Sequence, residues 1–160
     1  MNGLLWMVLQ LSRGANILAG VTLTLLMGIT VTDVILRSFG RPLLGTFELV
    51  AFLGAAVIGF SLPFTSWVRG HIYVDFFIMK LPSKARNTFH LLTRCMGLGL
   101  FLLIGWNLIK MGADLSRSGE VSPTLQIPFH PVVYGVGAAC FLQSLVLFSD
   151  IVKVFRGQYE

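Results

Sequence analysis

The sequence predicts an all-α integral membrane protein with four transmembrane helices and a short amphipathic interfacial helix between the second and third. Three observations lead to this. Of the 160 residues, 55% are hydrophobic and only 12% are charged, with a mean hydropathy of +0.80; a soluble domain carries about twice that share of charge. The charged residues divide the chain into four uncharged runs, at 14–32, 49–68, 95–109 and 131–149. Between the second and third runs, apolar residues recur at helical spacing on one stripe. This composition sets aside a cytosolic enzyme, a nucleic-acid-binding module and a disordered chain.

Helix one is drawn at 14–36. A span needs about 20 mostly apolar residues to cross about 30 Å of hydrocarbon. A secretory signal peptide competes for this stretch. Arg13 is the sole basic residue of the first 32, however, and no small-x-small cleavage site follows the run before Asp33. Asp33 and Arg37 stand at i, i+4 with the acid first, the favourable order on a helix, and an exposed pair of this kind contributes roughly a few tenths of a kcal/mol.

Helix two is drawn at 48–68. Glu48 opens it, where an acid complements the helix dipole, and Pro63 is expected to bend it near its end. Ala51, Ala55 and Gly59 repeat every four residues, joined by Gly54 and Ala56. Such stripes let helix backbones approach closely, within one bundle or against another chain. The interfacial helix is drawn at 72–81, where Val74, Phe77, Ile78 and Leu81 fall at i, i+3, i+4 and i+7 while Asp75 and Lys80 lie off the stripe.

Pro82 ends that segment and Ser83 caps helix three, which runs from about residue 84 to 113, roughly 45 Å at 1.5 Å per residue. Its spanning part, 88–113, holds Arg94 and Lys110, long side chains able to snorkel to opposite interfaces. Helix four, at 130–150, follows the stretch Ser122-Pro123-Thr124-Leu125-Gln126-Ile127-Pro128-Phe129-His130-Pro131. Pro131 suits a first helical turn and the upstream prolines favour extended backbone, so a structured loop is expected there. Gly135, Gly137, Ala138 and Ala139 give helix four small residues of its own. With no internal repeat or linker, residues 1–160 read as one membrane domain.

Lysines and arginines outnumber acids 12 to seven. With four spans, the side bearing both termini carries Arg13, Arg69, Lys80, Lys84, Arg86, Arg94, Lys153 and Arg156, against Arg37, Arg41, Lys110 and Arg117 opposite. The positive-inside rule then places both termini in the cytoplasm. In a Gram-negative host the connections after helices one and three face the periplasm.

The chemistry a carrier or redox protein needs is missing from the sequence. A transporter or proton pump places an ionisable group near the bilayer midplane, whereas Asp33, Glu48, Asp114, Glu120 and Asp150 all fall near expected helix ends, within reach of water or headgroups. His71, His90 and His130 also fall near interfaces, unlike paired haem ligands. Cys95 and Cys140 lie in apolar runs without a CxxC and read as reduced core residues. No catalytic residue, metal site or cofactor is expected.

Four features resemble the small, Q-type membrane subunit of tripartite ATP-independent periplasmic (TRAP) transporters. They are the exit of helix one at 37–45, Glu48-Leu49 opening helix two, Gly70-His71-Ile72-Tyr73-Val74-Asp75, and the 122–128 stretch. The order of the last two is the most specific part, and the resemblance spans nearly the whole chain. It implies a secondary uptake system in the bacterial inner membrane. There a periplasmic substrate-binding protein delivers an organic acid, such as sialic acid or a C4-dicarboxylate, to a large multi-spanning subunit driven by a sodium gradient. The small subunit is not the carrier; it packs beside the scaffold of the large one, among membrane lipids, and its periplasmic loops help dock the binding protein.

On that reading His71 and Asp75, four residues apart, fix the start of the interfacial helix that includes Val74, Phe77, Ile78 and Leu81. Arg37, Arg41, Arg117 and Glu120 are candidates for meeting the binding protein, and Ala51, Ala55 and Gly59 for packing on the large subunit. The alternative is a small exporter or channel made by self-association, which the small-residue stripe permits and the missing midplane charge opposes. A membrane-anchored redox or haem subunit is disfavoured by its ligand inventory.

Overall fold

The computed structural model describes residues 3–68 and 83–155. The described residues form four helices: α1 (Gly3–Ser38), α2 (Thr46–Trp67), α3 (Ser83–Ser118) and α4 (His130–Phe155). All four hold segments long and apolar enough to cross a membrane. The segment expected to form the interfacial helix lies outside the described residues. At 36 residues each, α1 and α3 extend about 54 Å, well beyond one hydrocarbon thickness.

The helices pack in the order α1, α2, α4, α3, with a minor contact from α1 to α4. Sequence neighbours are antiparallel, and α2 and α4 run side by side in parallel. α4 is the centre of the arrangement: 39% of its apolar window is buried, against 11% for each of the others. The interior is inverted relative to a water-soluble protein. Ser12, Asp33, Thr46, Ser66, Arg94, Gln143, Ser149 and Asp150 are buried, while Ile17, Leu18, Val21, Ile58, Met96 and Leu103 face outward. Lipid accepts apolar side chains and leaves polar ones to find partners inside, so this is the distribution a bilayer selects.

Close approach at glycines draws α3 onto α4. A Cβ at Gly105 would meet the Phe141 ring at 3.3 Å and the Gly137 carbonyl at 3.4 Å, and one at Gly112 would strike the Tyr134 ring at 2.8 Å. Gly97 likewise sits against Leu147. Spaced eight and seven residues apart, these three form a stripe that sequence reading did not single out. Glycine is common in spanning helices, and this periodicity becomes visible only once α4 is seen against it. Cys140 is buried in α4, but Cys95 is exposed on the outside of α3 and is not a core residue.

Candidate functional site

Two polar layers, one at each end of the helices, organise the surfaces that a partner could meet. At the first, which bears both short connections, α1 closes in a Schellman motif. Gly40 adopts φ 73°, Gly40 N–H donates to Arg37 O and Arg41 N–H to Leu36 O, capping the last carbonyls. Asp33 then fixes the turn that follows. One carboxylate oxygen accepts the Arg37 guanidinium at 2.7 Å and the other accepts Leu43 N–H at 2.9 Å. Asp33 is 4% exposed, so this acid is a buried turn anchor rather than half of a solvated surface pair.

Gly45 is the hinge into α2. Its φ of 77° lies in the left-handed region, and the Leu125 side chain occupies the space a Cβ would need. Gly45→Ala is expected to cost about 1–3 kcal/mol, from the left-handed backbone and the collision together. Thermal unfolding in lipid nanodiscs checks this, and an unchanged midpoint would contradict it.

Glu48 does more than start a helix. Its Oε1 accepts Thr124 N–H at 2.7 Å and its Oε2 accepts Leu125 N–H at 2.9 Å, so one carboxylate clamps the α3–α4 loop onto the first turn of α2. That loop is itself closed. α3 ends at Gly119, φ 67°, with Gly119 N–H on Leu115 O, and Val121 bridges Pro128. Ser122, 1% exposed, donates N–H to Ile127 O and accepts Ile127 N–H on its hydroxyl. The proline-rich stretch is thus a structured loop. Sequence reading missed the clamp because its donors are backbone amides 76 and 77 residues away. The available signal was an acid three residues after a glycine that has no side chain to cap the helix.

Both connections therefore form one platform. Arg37, Arg41, Arg117 and Glu120 are all exposed at this end, Arg37 with its side chain 56% exposed while paired to Asp33. The first two flank the α1–α2 turn and the others flank the end of α3.

The second layer lies toward the opposite end. Arg94 of α3 and Asp150 of α4 are paired at 3.1 Å with side chains 8% and 5% exposed. Neither is solvated: Arg94 does not snorkel out and Asp150 does not face headgroups, because each is the other's counter-charge. In the next layer inward, Gln143 of α4 donates to the Ser66 hydroxyl of α2 at 2.6 Å. Together the two contacts tie α4 to both neighbours through polar groups. The helix bounds account for the pairing. Measured from the loop they flank, Arg94 lies 24 residues before Ser118 and Asp150 lies 20 after His130, about 36 and 30 Å along antiparallel helices.

The small-residue stripe of α2 divides. Gly59 packs inside, where a Cβ would lie 3.2 Å from both Val136 methyls of α4. Ala51 and Ala55 are exposed and line an open apolar groove of about 390 Å³ with Phe47, Phe52, Phe129 and Val132. Phe52 and Phe129 touch across its floor with ring centroids 5.2 Å apart. His71, Val74, Asp75, Phe77, Ile78 and Leu81 lie outside the described residues.

The arrangement is four apolar helices with a hydrogen-bonded loop platform at one end and extensive outward apolar faces. Comparison with known families agrees. The model for tripartite ATP-independent periplasmic transporters, DctQ component, matches residues 26–157, which takes in the platform, the last third of α1 and all of α2, α3 and α4. No individual curated protein matches the chain. The chain belongs to the DctQ family, the small membrane subunits of tripartite ATP-independent periplasmic transporters.

Proposed function

We propose that this chain is the non-transporting subunit of a sodium-coupled, binding-protein-dependent uptake system for organic acids such as sialic acid or C4-dicarboxylates. It resides in the bacterial inner membrane with both termini cytoplasmic, scaffolds the large multi-spanning subunit, and presents its loop platform to the periplasmic binding protein. One observation carries the reading: among the described residues, charge keeps toward the two ends of the helices. No charged residue lies between Arg13 and Asp33, between Glu48 and the end of α2, between Arg94 and Lys110, or between the start of α4 and Asp150. A charged substrate or coupling ion crossing the midplane has no partner in this chain, so the transport path belongs to the larger subunit.

Gentle affinity purification from native membranes tests this. A larger polytopic protein is expected at one-to-one stoichiometry, and substitution of Ala51 and Ala55 by leucine is expected to lower its recovery. His71→Ala and Asp75→Ala should lower it too if the 72–81 segment holds the assembly at one membrane surface. Recovery of this chain only with itself, even after crosslinking, would instead favour a self-assembled exporter or channel.

The platform reading has a separate test. Charge reversal at Arg37, Arg41, Arg117 or Glu120 is expected to reduce uptake several-fold when the binding protein is limiting, and to leave subunit assembly unchanged, because exposed interfacial charges act mainly on association rate. Equal loss of assembly and uptake would point to misfolding.

A further inference from the structure

The outer face of α3 carries charges in an order that its packing does not explain. Gly105 and Gly112 turn toward α4; on the opposite side, Asn107, Lys110, Asp114 and Ser118 join Glu120 around an open concavity of about 480 Å³. Lys110 and Asp114 stand at i, i+4 and yet form no ion pair. The Lys110 ammonium instead turns back along the helix and sits 5.4 Å from the Trp106 ring centroid, held by the ring face. Trp106 is 58% exposed, and below it Met96, Leu100 and Leu103 form an apolar track, 68%, 56% and 64% exposed.

Outward along this face come an apolar track, a cation over an indole, and then two carboxylates about one helical turn or more beyond. A phospholipid laid in the same direction presents its acyl chain, its phosphate and then its headgroup amine. We propose that this face binds an aminophospholipid of the phosphatidylethanolamine class, with Lys110 on the phosphate and Asp114 and Glu120 on the primary ammonium. The carboxylates select among lipids. They attract a primary ammonium through charge-assisted N–H bonds, find no N–H donor on a trimethylated choline, and repel a headgroup that is purely anionic. The indole at the interface and the snorkelling lysine fix the depth.

The test uses the full chain in nanodiscs holding equal amounts of phosphatidylethanolamine, phosphatidylcholine and phosphatidylglycerol, with the lipids retained on gentle extraction counted by native mass spectrometry. Phosphatidylethanolamine is expected to be enriched about fivefold over each of the others, the scale of one or two partly exposed ion pairs. Asp114→Asn with Glu120→Gln is expected to erase the preference over phosphatidylcholine and to increase retained phosphatidylglycerol. Lys110→Gln should reduce retention of all three lipids about fivefold, since each carries the phosphate that Lys110 meets, and Lys110→Arg should restore it. Far-UV circular dichroism confirms that each variant keeps its helix content.

Wild-type retention that follows the bulk lipid mixture would overturn the proposal, as would an undiminished amine preference in the double variant. A photoreactive side chain at Met111 that captures a polypeptide rather than lipid in native membranes would assign the face to a protein partner and also overturn it. None of these measurements requires another subunit, so they stand apart from the transporter reading.

Discussion

Arg94→Leu is expected to lower the stability of the chain in a bilayer by about 3–5 kcal/mol, because it removes the guanidinium that pairs with the Asp150 carboxylate in a site that is 5% exposed. For a chain of this length the loss corresponds to a fall in unfolding midpoint of roughly 10 °C. Asp150→Leu should behave alike. The diagnostic variant is the double substitution Arg94→Leu with Asp150→Leu, which removes both charges together. A buried ion pair exchanged for apolar residues is often neutral or better, so the double variant is expected to recover most of the loss. The pair would then be a device for fixing the α3–α4 register rather than a net source of stability. Thermal unfolding of the four proteins in one nanodisc composition decides the matter. Single variants with a wild-type midpoint, or a double variant no better than either single, would refute the assignment.

Glu48→Ala is expected to cost about 2–4 kcal/mol, since two charge-assisted hydrogen bonds are lost and the amides of Thr124 and Leu125 are left facing an apolar side chain. Glu48→Gln tests the geometry more sharply. An amide offers one acceptor oxygen and a donor –NH2, so it can keep one of the two N–H bonds but must set its own donor against the other. About half the loss is expected. Glu48→Asp, one methylene shorter, should not reach the loop. Hydrogen exchange at Thr124, Leu125 and Ile127 reads the clamp directly: protection should fall in the order wild type, glutamine, alanine, while the α4 core stays protected. Equal exchange in all three would mean that the loop is held by its own Ser122 bonds and Glu48 serves only α2. If the platform meets a binding protein, Glu48→Gln should also weaken uptake at limiting binding protein, although Glu48 itself is only partly exposed.

The predicted effects concentrate on residues whose sequence reading was the blandest. Arg94 reads as a snorkelling lysine-like anchor and Glu48 as a dipole-matching helix start, each a sound local inference. Both are overridden by partners at sequence separations of 56 and 76–77 residues. Asp33 shows the intermediate case. Its i, i+4 partner Arg37 is legible in the sequence, whereas its bond to Leu43 N–H depends on the chain reversing at Gly40.

Hydropathy and charge punctuation by themselves determined the membrane class and the number of helices apolar enough to span. The motif order carried the family, because each of these is a local sum or a local string. Tertiary structure alone decided that α4 sits at the centre, that α3 meets it through Gly97, Gly105 and Gly112, and that Gly59 faces inward while Ala51 and Ala55 face out. The physical reason is the solvent. In water an apolar stripe marks the inward face of a helix, but in lipid the outside is as apolar as the inside, so the periodicity that would orient each helix is nearly absent. Inward faces are instead marked by small residues and by the few polar groups that must find partners, and which partner each finds is fixed only when the helices meet.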